Sequence, residues 1–125
     1  MMKKVTLDYI FRTSSNILFK RLSTPSGLSE WFADDVTIKD ETFFFKWNGS
    51  ERDATIKLDR KALCVKFEWN DKEDEFLEFN IEKSNMTKDL TLYVTDFVED
   101  DEDKNDALEL WDNIIGQLKT KLGVN

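Results

Sequence analysis

The sequence predicts an α+β domain: a curved antiparallel sheet of six to seven strands wrapped on a long C-terminal helix, with two short helices after the first strand. Three observations carry this. Segments in which apolar and polar residues alternate recur along most of the chain, each with one apolar and one mostly polar face. A stripe of large apolar residues at steps of three and four closes it. Between the first alternating segment and the others lies a stretch with hydroxyl-bearing caps and the chain's one proline.

The elements follow in order. In KVTLDYIFR, residues 4–12, Val5, Leu7, Tyr9 and Phe11 share a face opposite Lys4, Thr6, Asp8 and Arg12, with Ile10 out of pattern. Thr13 or Ser14 then supplies a cap for a helix that places Ile17, Leu18 and Leu22 at helical spacing. Thr24 and Pro25 start a second, short helix, because proline at the first helical position loses no hydrogen bond. Leu28, Trp31 and Phe32 fall at i, i+3 and i+4, so they are expected on one face of it as apolar plugs. Asp34 and Asp35 mark the exit to the next strand.

Six strands are expected after that: VTIKD, ETFFFKWN, ATIKLD, ALCVKFEWN, DEFLEFNIEK and KDLTLYVTDF. Short polar connections such as Asn48-Gly49-Ser50 and Asn70-Asp71-Lys72 suit turns between antiparallel neighbours. In the last segment Ala107, Trp111, Ile114, Ile115, Leu118 and Leu122 form the apolar stripe. Acids crowd its start and Lys119 and Lys121 lie near its end, the polarity a helix dipole favours. A helix over 104–122 is about 28 Å long, the length of a strand of eight or nine residues, so one helix can lie along one sheet face.

Composition narrows the chemistry. The 125 residues fit one domain, 1–125, and no repeat or linker divides them. The net charge of −8, without a run of lysine and arginine, argues against nucleic acid and against anionic membranes. No stretch approaches the ~18 apolar residues of a membrane helix. Thr6 and Asp8 interrupt the N-terminal apolar run, and the single cysteine, Cys64, rules out an internal disulfide. A cytoplasmic protein is expected. Histidine is absent, which removes the commonest general base and metal ligand and excludes Ser–His and Cys–His nucleophile systems.

SSNILFKRLSTPSGLSEWFADDV, together with DLTLYVTDF followed by LWDNIIGQLKTKL, resembles the START-like (helix-grip, SRPBCC) superfamily. The likeness is to the branch related to the Hsp90-ATPase activator homologues, and it covers nearly the whole chain. Gly49 stands alone where that family often has a glycine pair, and Leu110 replaces the usual glycine before the helix tryptophan. The resemblance implies an apolar space between sheet and helix. Its expected wall is Tyr9, Phe11, Phe45, Trp47, Phe67, Trp69, Phe79 and Leu92 from strands, Trp31 from the second short helix, and Trp111, Ile114, Ile115 and Leu118 from the last helix. The same rings also suffice to fill the interior without leaving space.

The function expected is a non-enzymatic domain that binds a small hydrophobic molecule between sheet and helix, with no cofactor and no metal. The alternative is a protein-interaction module like the Hsp90 activators, using the acidic strip at 99–106. Phe44, Phe76, Tyr93 and Phe97 fall on the polar faces and are expected to form a contact patch, for a homodimer, if they cluster. Asp101, Asp103, Asn105, Glu109 and Asp112 imitate a calcium loop, but Asp106 stands where the loop needs glycine and Asp112 where it needs glutamate; a solvated helix entry is expected instead. Gly116, inside the helical stripe, costs about 1 kcal/mol relative to alanine and is expected to admit a bulky strand residue, or else a ligand or a partner helix. Cys64 falls on a polar-side register, without a catalytic partner.

Overall fold

The structure is a computed structural model and describes residues 2–100 and 103–124. One seven-stranded antiparallel sheet organises it, in the order β1-β7-β6-β5-β4-β3-β2. β1 (Lys3–Phe11) is followed by α1 (Ser15–Ser23) and α2 (Pro25–Leu28), then β2 (Asp35–Lys39), β3 (Thr42–Trp47), β4 (Ser50–Asp59), β5 (Cys64–Trp69), β6 (Phe76–Lys83), β7 (Leu90–Val98) and α3 (Asp103–Leu122). β2 to β7 form a meander, and β1 pairs with β7 along its whole length, Lys3 opposite Val98 and Phe11 opposite Leu90. β1 and β2 are therefore the two edges, and α1 with α2 carries the chain from one to the other.

Local chemistry explains the two short helices. Ser14 Oγ accepts from Ile17 N–H at 3.1 Å and caps α1. Thr24 Oγ1 donates to the Lys20 carbonyl at 2.7 Å and accepts from Gly27 N–H at 3.0 Å, so one hydroxyl ends α1 and starts α2. The short second helix expected to carry Trp31 and Phe32 stops at Leu28. Beyond it the chain turns: the N–H groups of Phe32 and Ala33 both reach the Leu28 carbonyl, at 2.8 and 3.2 Å. Spacing of i, i+3 and i+4 fits either a helix or such a turn, because both bring those residues to one side.

β4 is longer than the sequence suggests. It begins at Ser50 rather than Ala54, because Glu51, Arg52 and Asp53 pair through their backbones with Lys46, Phe45 and Phe44. Polar side chains hid this segment from an alternation argument; ladder bonds need only the main chain.

The apolar sheet face is shared among the helices. α3 contacts β1 and β7, α1 contacts β6, and α2 contacts β2. Trp111, Ile115 and Leu118 of α3 are buried, as are Leu18, Phe19 and Leu22 of α1. At the centre the Phe79 ring meets Trp31, Phe32, Phe67 and Trp111, with centroids 5.8 to 6.3 Å apart. Such tilted and edge-on pairs add to the stabilisation from area burial.

Two expectations about side chains need correction. Gly116 is exposed, and a Cβ built on it meets nothing within 4 Å, so neither a strand residue nor a buried ligand needs its space. The four aromatics on the polar faces do not form one patch. Phe76 and Phe97 pair across β6 and β7 at 5.0 Å, but Phe44 lies on β3, three places along the sheet from β6.

Candidate functional site

The site begins with the turns after α2. Trp31 Nε1 donates to the Arg21 carbonyl at 2.9 Å, and Trp47 Nε1 donates to the Phe32 carbonyl at 2.8 Å. These two bonds pin the Trp31–Phe32 turn to α1 on one side and to β3 on the other. Phe32 then projects among aromatic neighbours. Its ring is edge-on to Phe45 and Trp47, both at 5.4 Å, and stacked with Trp111 at 6.1 Å and 17°.

α3 is held over this cluster by a polar contact from below. Trp111 Nε1 donates to Asp96 Oδ2 at 3.0 Å. Asp96 follows Leu92 and Val94 in the inward register of β7, and its other oxygen accepts from Phe97 N–H at 2.8 Å. An inward carboxylate is thus satisfied by two neutral donors. A second bond, from Tyr9 Oη to Asp112 at 2.8 Å, ties β1 to α3. Burial and the Asp112 carboxylate push the Tyr9 phenol well above its ordinary pKa.

Between the 29–34 turns, the ends of β3 to β5 and the middle of α3 lies a cleft of about 730 Å³. Trp31, Phe32, Trp47, Trp69 and Trp111 supply its aromatic wall; Leu110 and Ile114 supply aliphatic surface, with Leu77, only 1 % exposed, beneath them. All four tryptophans of the chain are here. Its polar groups include Arg52, Asp34, Asp96, Glu30 and Gln117. Arg52 lies over Trp69, its guanidinium carbon 3.9 Å from the ring centroid. Asp71 fixes it through two bonds of 3.1 and 2.9 Å, and those bonds hold the Asp71 carboxyl below its ordinary pKa. A smaller crevice of about 350 Å³ adjoins and shares Arg52, Trp69 and Asp96 as its wall. A separate crevice of about 620 Å³, bordered by Arg12, Lys83 and Lys88, offers one apolar side chain, Leu90.

The residues expected to line an apolar space divide into two groups. Trp31, Trp47, Trp69, Trp111 and Ile114 border the cleft. Phe11, Phe45, Phe67, Phe79, Leu92, Ile115 and Leu118 are at most 1 % exposed and belong to the packed core beneath it. Tyr9 is half-buried, away from the cleft, and serves the contact with α3. The expected list omitted Phe32, Leu77, Arg52 and Asp96. Asp96 was accessible by counting in twos from Leu92; Arg52 was not, because the start of β4 shows no alternation.

No group of three or more acids, cysteines or histidines that could hold a metal occurs among the described residues. The calcium-like spacing starts at Asp101, outside those residues; from Asp103 onward the chain is already helical. Cys64 lies beside Glu78, and burial with that carboxylate pushes its thiol up to about 11, which keeps it protonated and unreactive. No helix among the described residues is long and apolar enough to cross a membrane.

The comparisons with known proteins agree with this architecture. The START-like superfamily domain model matches residues 1–124. A Bacteroides fragilis protein solved in solution is 35% identical, with a TM-score of 0.68, over 97% of this chain and 91% of its own. The Aha1 dimer from Colwellia psychrerythraea aligns at 16% identity and a TM-score of 0.74, over 94% of both chains. XoxI from Bacillus cereus aligns at 8% identity and a TM-score of 0.76, again over 94% of both. The likeness to the last two is one of fold. No curated protein matches the chain.

Proposed function

The chain belongs to the START-like superfamily, and on that premise we propose that it is a binding domain that takes a small hydrophobic molecule into the cleft between the Trp31–Phe32 turns, the sheet and α3, and does not transform it. The observation that carries the reading is the cleft. Its volume of about 730 Å³ falls in the range of small-molecule sites. Indole and phenyl surface beside Leu110 and Ile114 offers affinity by apolar burial, about 25 cal/mol per Å² before the costs of binding. A reducing cytoplasmic setting suits the single protonated thiol.

Native mass spectrometry of protein purified from its natural host tests the reading, with tryptophan emission during titration by neutral aromatic probes as the second measurement. A retained small molecule, or saturable quenching that Leu110→Glu weakens several-fold, is the expected result; Leu110 is 58% exposed, so the substitution tests the rim and spares the core. No retained mass and no saturable change with any probe overturns it.

A protein-interaction module is the second reading. The exposed leucines Leu108 and Leu110, beside the acidic start of α3, favour it. Binding of a host chaperone that Leu108→Ser and Leu110→Ser abolish, with the cleft empty, selects that reading over the first.

A further inference from the structure

The charge of the cleft narrows the class of molecule it would take; this rests on the binding function proposed above. Of its ionised side chains, two are already neutralised. Arg52 is spent on Asp71 through two hydrogen bonds, and Glu30 on Arg21 at 2.7 Å. Asp34 and Asp96 remain. Neither forms an ion pair with a lysine or arginine among the described residues. Both hydrogen bonds to Asp96 come from neutral donors, Trp111 Nε1 and Phe97 N–H, so its full charge stays at the cleft wall, half-buried and poorly screened. The aromatic wall points the same way. Ring faces attract cations, and the guanidinium over Trp69 shows one indole here already doing so.

We infer that the cleft selects amphiphiles with an aromatic or planar body and a protonated amine, and rejects those bearing a carboxylate. The apolar body sits among Phe32, Trp47 and Trp111, and the ammonium faces Asp34 and Asp96. A carboxylate in the same place meets two like charges with no free cation to receive it.

Three probes with one body test this: 1-naphthylmethylamine, 1-naphthylmethanol and 1-naphthylacetate, titrated against the whole chain at pH 7 with tryptophan emission and amide chemical shifts as readouts. The amine is expected to bind at least about tenfold more tightly than the acid, with the alcohol between, and added salt is expected to narrow the gap. In Asp34→Asn/Asp96→Asn the gap is expected to shrink to within about threefold, since asparagine can still accept the Trp111 bond but carries no charge. Asp34 is exposed, so Asp34→Asn alone, which should shrink the gap in part, keeps the test open if the double variant does not fold. Equal binding of the three probes, or tighter binding of the acid, overturns the inference and leaves the binding function standing. An amine preference that survives both substitutions also overturns it, by tracing the preference to the overall charge of −8. Failure of the neutral alcohol and both ions to bind removes the binding function and the inference with it.

Discussion

A Cβ placed on Gly27 would meet the Lys20 carbonyl oxygen at 2.5 Å and the Arg21 Cα at 2.7 Å. Both are backbone atoms of α1, so nothing flexible can give way. Gly27 is what lets α2 approach α1 closely enough for Thr24 to bridge them. Gly116 meets nothing, and lies in the middle of α3 with its face to solvent. The same substitution therefore has opposite signs at the two positions. Gly27→Ala is expected to destabilise by about 1–3 kcal/mol, the usual cost of overpacking. Gly116→Ala is expected to stabilise by about 0.5–1 kcal/mol, because alanine loses less backbone entropy in a helix. Urea denaturation of both variants beside the parent checks this, and a destabilised Gly116→Ala would mean that α3 packs differently from what is described.

The helix α3 shows what an element needs in order to stay on a sheet. Trp111, Ile115 and Leu118 give it a buried stripe, and Tyr9–Asp112 and Trp111–Asp96 anchor it to the two strands it lies over. The stripe and the sheet alternation were readable in the sequence because periods of 3.6 and two differ so clearly. The anchors were readable only in part. Tyr9 and Trp111 were visible as apolar-face residues; Asp96 could be placed inward by counting from Leu92 but not paired with Trp111, and Asp112 looks like an ordinary surface acid until the packing of α3 is known. The cleft lay deeper still: the same rings pack a core or line a wall, and only the turn after Leu28 decides which.

The Tyr9 anchor also has a pH signature. Its folded pKa lies above the unfolded value near 10, so its contribution is complete below that value and is lost as the pH rises through the folded one. Tyr9→Phe is expected to cost about 0.5–1.5 kcal/mol at pH 7. The gap between parent and variant, measured by urea denaturation, should hold to about pH 9 and shrink above about pH 10. A gap that grows with alkalinity would contradict the Tyr9–Asp112 bond.

At the scale of the whole molecule, one ring joins every layer. Phe79 on β6 touches Trp31 and Phe32 from the turns, Phe67 from β5 and Trp111 from α3, and it is 0 % exposed. The chain crosses the width of the sheet through α1 and α2 before β2 begins, so the cover over the sheet comes from segments far apart in sequence. These segments meet at this ring, and Trp111 of α3 also stacks directly on Phe32, while the backbone of α3 runs beside β1 and β7. Phe79→Ala is expected to cost about 3–5 kcal/mol, from lost transfer energy and the cavity left behind. If Phe79 couples the layers, the loss is shared: far-UV circular dichroism and tryptophan emission should still report a single coincident transition, shifted to lower denaturant in both. Emission that moves at lower urea than the far-UV signal would instead mean that α3 and the Trp31–Phe32 turns detach from an intact sheet. Phe79→Leu separates packing from coupling. It retains most of the volume and should recover more than half of the stability lost in the alanine variant, while losing the edge-on contacts with Trp31, Phe32 and Trp111. Since those three residues also wall the cleft, Phe79→Leu should loosen the cleft in a protein that is still folded, and titration with 1-naphthylmethanol should show weaker binding without an accompanying fall in the fraction folded.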